Sequence, residues 1–343
     1  MSKPFLTIDE QIQLLKKRDL IIHDEEEAYK LFSQHSYYSV INGYKDIFLC
    51  PKKTREHNED RFREDASLKD IINLFKLDIE FRKEILSILE VVESILSNNI
   101  AYILGERYGH KKGDYLDKVI FKKGRKIKMW NNGKVFGFEY EVDKLFRQLK
   151  RCYNSHEHPM RHYRDKHKNI PPWVLVKGLT FRNLYYIYKL FKSYDKDYLI
   201  SRCLGINEVE IDDDIKEFFN KSLDLMIYYR NWAAHGNRIF SHKTRTELPY
   251  YKPAYVQCGL TKKDYDNKIG INDLFALSIA IRFFLSNDSI RAKTYHVSIT
   301  HYLTSYEDNN NKYIKSVLEE MGFPENHYDL IVKSERELQY TGD

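Results

Sequence analysis

The chain contains few residues that interrupt helices. Only 14 of its 343 residues are glycine and 8 are proline, so long uninterrupted helices are permitted. It has only four cysteines, which lie far apart and form no C-x-x-C pair: Cys50, Cys152, Cys203 and Cys258. This spacing disfavours a disulfide scaffold and favours a reducing cytoplasm.

The sequence also lacks a long apolar run. Residues 1–14 include acidic side chains and no continuous apolar stretch, so no secretory signal is predicted there. The most apolar window, residues 274–285, is interrupted by Arg282; it is too short for a membrane span and predicts a buried helix. We therefore expect a cytoplasmic protein that does not use a membrane.

Common catalytic motifs are missing as well. The sequence contains no P-loop, no G-x-G-x-x-G after a strand and no G-x-S-x-G. Four histidines follow Cys152, but their spacing matches no standard zinc pattern: His156, His158, His162 and His167. We expect no metal and no cofactor. A metal-dependent hydrolase built on these histidines is the alternative, which sensitivity to a chelator would reveal.

The residues that are present predict a mainly α-helical bundle. Thr7 and Glu10 have the spacing of a capping box. The segment 67–104 contains neither glycine nor proline, and its apolar residues recur at helical spacing, which places it centrally in the bundle. The predicted helices cover residues 8–18, 24–34, 67–104, 141–153, 171–191 with a bend at Gly178, 212–235, 271–285, 312–321 and 326–333, and residues 51–65 are predicted to be a loop.

A basic insertion at about residues 118–138 differs from the rest. Asn131-Asn132-Gly133 is a hairpin-turn signal, and the insertion contains no Asp or Glu. Phe121 and Trp130 lie among its basic residues, a composition that suits phosphate contact and base stacking. A solvated charged surface is the alternative. The candidate RNA-binding residues are Lys122, Lys123, Arg125, Lys126, Lys128 and Trp130.

The segment 225–238 contains the motif most suggestive of chemistry, R-x-x-x-x-H, in Arg230 and His235. Acidic residues 212–214 suit the start of its helix, and Gly236 suits the stop. Asn231 and His235 are four residues apart and share a helix face. The spacing therefore predicts a cation, an imidazole and an amide near one helix end.

These three groups suit RNA cleavage by the 2′-hydroxyl of the RNA itself. Histidine titrates at about pH 6.5 and can move protons, and arginine binds phosphate oxygens with several donors. No metal is required, and DNA, which lacks the 2′-hydroxyl, should resist. The spacing also fits a salt-bridged Arg230 and a His235 that merely caps the helix.

Residues 230–238 resemble the R-N-x-x-x-H signature of HEPN ribonucleases. Other blocks resemble the AbiD/AbiF family of abortive-infection proteins over nearly the whole chain. Those blocks are residues 3–15, Tyr37-Tyr38 with Asn42-Gly43-Tyr44, Phe81-Arg82 through Ile100-Ala101-Tyr102, Pro171-Pro172-Trp173-Val174 and Leu179-Thr180-Phe181. The chain departs from the family pattern at Ser97, Lys177 and Arg182.

The resemblance implies a metal-independent RNA endonuclease that acts as a toxin-like anti-phage protein. It implies a HEPN-type helical bundle that forms a homodimer, in which two R-x4-H motifs meet at one composite site, and a structured small RNA as a further partner. The expected organisation is an N-terminal helical region at 1–66, a HEPN-like domain at 67–290 and a C-terminal helical extension at 291–343. The competing hypothesis is a non-catalytic HEPN module that binds RNA or protein and senses infection.

Three further residues are candidates for the site. Glu93 lies among apolar residues, so its carboxylate needs a partner; it is expected to orient Arg230, or else to pair with a nearby lysine. Asn231 is expected to position His235 or a phosphate, or else to cap the helix. Arg238 is expected either to contact RNA or to be a solvated surface arginine.

Overall fold

The computed structural model describes residues 5–327, and its fold is mainly α with one small β-hairpin, as predicted. The N-terminal helices are α1 (Ile8–Lys17), α2 (Glu25–Gln34) and α3 (Pro51–His57). The central elements are α4 (Leu68–Tyr108), α5 (Lys112–Tyr115), β1 (Lys126–Asn131), β2 (Lys134–Tyr140), α6 (Glu141–Tyr153), α7 (Met160–His167), α8 (Pro172–Leu175), α9 (Phe181–Leu190), α10 (Ser193–Leu204) and α11 (Asp213–Ala234). The last are α12 (Lys252–Val256), α13 (Lys262–Asp266), α14 (Leu274–Phe284) and α15 (Ser289–Met321).

Helix α4 is the axis of the bundle. It runs for 41 residues without a break, which corresponds to about 61 Å. Ser67 caps its first turn, and its apolar residues are buried on more than one side. Helices α8, α9, α10, α11, α14 and α15 all pack against it. The predicted helix over 67–104 is therefore present and extends to Tyr108.

Two sequence-based boundaries were wrong. The predicted loop at 51–65 contains α3, which begins at Pro51, a residue suited to a first helical turn. The predicted helix over 171–191 is divided into α8 and α9, because Leu179 is extended and Thr180 caps α9. Gly178 precedes this break, where a Cβ would lie 2.6 Å from the Cys152 sulfur.

The C-terminal prediction was also revised. The predicted short helix over 312–321 is the end of α15, which has 33 residues. The predicted helix over 326–333 continues past residue 327 and so lies outside the described residues, as do Lys3 and Pro4. Helix α10 was not predicted from the sequence.

The hairpin of β1 and β2 is held to the bundle at its base. Asn132 and Gly133 both have positive φ values, 45° and 75°, which suits a tight hairpin turn. The buried Glu141 carboxylate accepts hydrogen bonds from the Arg125 amide (2.9 Å) and from Lys189 on α9 (2.8 Å). Burial raises the pKa of Glu141, but these two donors outweigh it and hold that pKa below its usual range.

Within residues 5–327, only α4 is long and apolar enough to cross a membrane, judged by length and composition. Half of its most apolar window is buried inside the protein. The core helix of a bundle has the same length and composition, and α4 is such a core helix here.

Candidate functional site

Helix α11 presents the R-x4-H motif at its C-terminal end. Asp212 begins the helix by accepting the Ile215 amide at 2.8 Å. At the other end, Gly236 has φ +71°, its amide bonds to the Ala233 carbonyl, and the Asn237 amide bonds to the Trp232 carbonyl. This is a Schellman stop, and it places His235 at the C-cap position, directly after the last helical residue Ala234.

Arg230 lies beside Glu93 of α4. The Arg230 Nε atom is 3.9 Å from a Glu93 carboxylate oxygen, and Arg230 is 42% exposed while Glu93 is 23% exposed. Burial raises the pKa of Glu93, and the Arg230 guanidinium opposes that shift. Since Arg230 makes no hydrogen bond within the described residues, most of its donors are available to a ligand.

His235 and Asn231 lie at the exposed side of the same helix end. His235 is exposed and Asn231 is half-buried, and neither side chain makes a hydrogen bond within the described residues. On a straight helix Arg230 points about 140° away from His235. No hydrogen bond or ion pair in the described part of the chain joins them. One protomer therefore presents an arginine and a histidine on different sides of one helix end.

The loop after the motif is fixed by a buried carboxylate on α4. One oxygen of Asp78 accepts the amides of Ile239 (2.9 Å) and Phe240 (2.8 Å), and the other accepts the Tyr44 hydroxyl at 2.8 Å. Asp78 is fully buried, and burial raises its pKa against the effect of these donors. Arg82 completes the arrangement, with its Nε 3.5 Å from Asp78.

Two arginine side chains hold this loop in place by hydrogen bonds to backbone carbonyls. Arg82 donates a hydrogen bond to the Gly236 carbonyl, directly after His235. Arg238 donates to the Gly43 carbonyl, and its guanidinium is 3.9 Å from Asp46. Part of the Arg238 guanidinium therefore holds the loop in place, and only the remaining N–H donors are available to RNA.

The hairpin presents a face rich in aromatic and basic side chains. Lys126 pairs with Tyr140 and Lys128 with Phe138, so these side chains share one face of the hairpin. The register is irregular between Met129 and Trp130, and Trp130 pairs with Val135. We use the name hairpin face for six exposed aromatic and basic side chains of the two strands: Lys126, Lys128, Trp130, Phe136, Phe138 and Tyr140. Lys122, Lys123 and Arg125 are exposed at the base of the hairpin.

One of the two aromatic residues predicted to stack on bases is buried instead. Phe121, expected to accompany Trp130, is buried against Phe191 and Phe146, with ring centroids 5.7 Å away in each case. Phe136 and Phe138 were missed, although their alternation with neighbouring residues along β2 is a period-2 signal for a shared face.

The histidines at 156–167 are not arranged as a metal site. His162 lies 5.7 Å from both His158 and His167, measured between ring centroids. Across residues 5–327, no group of three or more His, Cys, Asp and Glu side chains is positioned to hold a metal ion.

Comparison with known proteins identifies the family. The family model described as Abi-like protein matches residues 30–241, a segment that includes both α4 and α11. The chain belongs to the Abi-like protein family. No curated protein and no solved structure compared with the chain gave a significant match. Membership of the Abi-like family supports a role in abortive infection, a form of anti-phage defence.

The residues that fix the motif loop lie within the Abi-like match but were not identified as functional from the sequence. Tyr44 and Arg82 were noticed only as parts of family-like blocks, and Asp78 was not noticed at all. A buried acid in an apolar helix four residues before an arginine is the available signal, since such a carboxylate requires donors.

We predict that the contacts of Asp78 contribute strongly to the free energy of unfolding. We expect Asp78→Ala to lower the free energy of unfolding by about 3–5 kcal/mol, because two backbone amides and the Tyr44 hydroxyl lose a buried acceptor. Tyr44→Phe removes a single hydrogen bond and should cost about 1 kcal/mol. Urea denaturation of each variant measures both effects.

Asp46→Ala is the matched control. Asp46 is 70% exposed and faces Arg238 at 3.9 Å, so its removal should cost less than about 1 kcal/mol. A loss for Asp78→Ala no larger than that of this control would contradict the anchoring role of Asp78.

Proposed function

We propose that this Abi-like protein is a metal-independent RNA endonuclease of the HEPN type, related to the AbiD/AbiF abortive-infection proteins. The observation that supports this most directly is the end of α11. There Arg230, with free donors, the half-buried Asn231 and the exposed His235 lie directly before a loop that Asp78 holds in place. A purely structural arginine and histidine would not require an exposed setting or a fixed loop.

The proposed chemistry uses the 2′-hydroxyl of the RNA as the nucleophile. The 2′-oxygen attacks the adjacent phosphorus, and the bond from phosphorus to the 5′-oxygen of the next nucleotide breaks. Histidine accepts the 2′-proton or donates one to the leaving 5′-oxygen, and arginine binds the non-bridging oxygens as negative charge builds up. The products are a 2′,3′-cyclic phosphate and a 5′-hydroxyl.

Glu93 acts in this proposal as a positioning residue. At 3.9 Å its carboxylate limits the directions that the Arg230 guanidinium can take, without using all five N–H donors of that group. Burial raises the pKa of Glu93, and the nearby Glu90 carboxylate raises that pKa further. Asn231, one turn before His235 on the same face, is placed to hold the imidazole or a phosphate oxygen.

A homodimer supplies the second proton-transfer group. Each chain places one histidine, His235, at the end of α11, while the acid and base steps use two proton-transfer groups. Tyr228, which is 41% exposed, lies about two turns before His235 on the same face of α11 and offers an aromatic contact surface. In a two-fold dimer built on this end of α11, two motifs face one another.

The hairpin face binds the RNA in this proposal. Its exposed aromatic rings provide stacking surfaces, and Lys126 lies 5.3 Å from the Phe138 ring centroid. Lysines beside aromatic rings suit a single strand with unpaired bases, whose phosphates and bases are both within reach. The RNA bound there is the substrate or a structured small RNA partner, and sequencing of RNA that purifies with the protein distinguishes the two.

The first prediction concerns RNA cleavage in excess EDTA. We expect the wild-type protein to cut end-labelled single-stranded RNA. His235→Ala should reduce the rate by about 10²–10⁴-fold, because it removes a proton-transfer group. Arg230→Ala should reduce it by about 10²–10³-fold, because it removes a donor to the developing charge. Gel analysis of single-turnover reactions gives the rates.

Two exposed residues of α3 serve as matched controls. Arg55→Ala and His57→Ala remove the same chemical groups and should leave the rate unchanged. Cleavage retained by the His235 and Arg230 variants would contradict the site, and RNA binding without cleavage by the wild type would favour a non-catalytic binding module. Light scattering of the same samples should give twice the chain mass of 41.2 kDa; a monomer would contradict the composite site.

The second prediction concerns the hairpin face. In a His235→Ala background, Trp130→Ala and Phe138→Ala should each weaken binding of fluorescent single-stranded RNA by about fivefold or more, because each removes a stacking surface. Lys128→Gln should weaken it and reduce the salt dependence of binding by about one phosphate contact. Fluorescence anisotropy at several salt concentrations measures both effects.

Val119→Ala and Lys69→Gln are the controls for that experiment. Both residues are exposed, Val119 at 72%, and neither lies on the hairpin. Affinities that fall equally in the controls and in the hairpin variants would show that the hairpin face is not the RNA-binding surface.

A further inference from the structure

A groove of about 340 Å³ opens beside the end of α11. Three segments form its walls: residues 38–44, the α4 residues Phe75 and Arg82, and residues 232–243. Gly236, the residue after His235, lies in its wall. We call this space the motif groove. Its volume is within the range of about 300–1,000 Å³ typical of small-molecule ligand sites.

The charged side chains that line the motif groove are all cationic. Arg82, Arg238 and Lys243 line it, and no Asp or Glu is part of its lining. The buried Asp78 pairs with Arg82, and the exposed Asp46 lies 3.9 Å from Arg238. Lys243 is exposed and forms no ion pair within the described residues, although the buried Asp273 interacts with its charge. Lys243 is therefore the cation of the groove with most freedom to bind an anion.

An exposed aromatic ring lies at the edge of the same groove. Tyr38 is 75% exposed there, so its ring is available to stack on a base. The Ser241 hydroxyl oxygen, by contrast, is shielded from solvent by the protein, so a ligand in the groove does not reach it in this arrangement.

The floor of the motif groove is rigid. The Trp232 indole stacks on His242 with ring centroids 4.4 Å apart and an interplanar angle of 15°, and its N–H donates to the Arg238 carbonyl at 2.7 Å. Burial lowers the pKa of His242, and Arg238 lowers it further, so the ring is neutral near pH 7. The floor thus needs little reordering when a ligand binds.

We propose that the motif groove binds one nucleotide of an RNA strand, with its phosphate at Lys243 and Arg238 and its base against Tyr38. The cationic side chains suit binding of a phosphate, and the exposed aromatic ring beside them suits stacking of a base. A site for a simple anion would not need the aromatic ring. This inference rests on the proposed ribonuclease function. It places the bound nucleotide next to the phosphate that His235 and Arg230 act on, so the groove positions the strand for cleavage.

The three tryptophans of the chain allow a direct test. Trp232 lines the motif groove, Trp130 lies on the hairpin face, and Trp173 lines a separate cleft near the C-terminal end of α4. Fluorine NMR of full-length protein labelled with 5-fluorotryptophan gives one signal for each, assigned with Trp→Phe variants. The probe is adenosine 5′-monophosphate, titrated alongside inorganic phosphate and adenosine.

We expect a saturable shift of the Trp232 signal with adenosine 5′-monophosphate, and weaker binding of phosphate or adenosine alone. Tyr38→Ala should weaken binding by about fivefold or more, because it removes the stacking ring. Lys243→Gln should weaken it and reduce its salt dependence. The matched controls Tyr29→Ala and Lys52→Gln change exposed residues outside the groove and should leave the titration unchanged.

A shift confined to Trp130 or Trp173, or equal binding by Tyr38→Ala, Lys243→Gln and the wild type, would overturn the proposal. Equal saturation by inorganic phosphate would also overturn it, because the site would then be one for a simple anion. In cleavage assays, Lys243→Gln should raise KM for RNA by more than it lowers kcat. If the wild type does not cleave RNA, the proposed function fails, while the NMR titration still decides whether the groove binds a nucleotide.

Discussion

The buried carboxylate of Asp78 is the constraint on which the candidate site depends. It accepts two consecutive loop amides, from Ile239 and Phe240, and the Tyr44 hydroxyl, and Arg82 beside it reaches the Gly236 carbonyl. An ionisable group without access to water is costly unless donors surround it. The same donors that satisfy Asp78 bind the N-terminal segment, α4 and the loop after α11 into one unit, and that unit fixes the position of His235.

Helix α4 contributes in two places to the same end of α11. Near its start, Asp78 and Arg82 hold the loop after the motif, and three turns later Glu93 lies 3.9 Å from Arg230. A long helix in the centre of a bundle is a rigid support, and rigid supports keep catalytic groups in place more precisely than loops do. The hairpin face and the motif groove then provide, in our proposal, an outer and an inner surface for one RNA strand.

Local patterns in the sequence predicted much of the fold but little of the geometry around the site. Helix caps, the glycine-free segment around Ile85 and the Asn-Gly turn depend on neighbouring residues, so α1, α4 and the hairpin could be predicted. The Arg238–Gly43 and Arg82–Gly236 contacts join residues 195 and 154 positions apart, and no local pattern encodes them. Phe121 was misjudged for the same reason, because its partner Phe191 lies far along the chain.

The most direct test of the account is the chemistry of the RNA ends. Wild-type protein would be incubated in excess EDTA with a single-stranded RNA and with an otherwise identical strand in which every 2′-hydroxyl is replaced by hydrogen. The account predicts cleavage of the first strand alone, with 2′,3′-cyclic phosphate and 5′-hydroxyl ends identified by mass spectrometry. Cleavage of the 2′-deoxy strand, or linear 5′-phosphate ends on the RNA products, would contradict cleavage by 2′-hydroxyl attack.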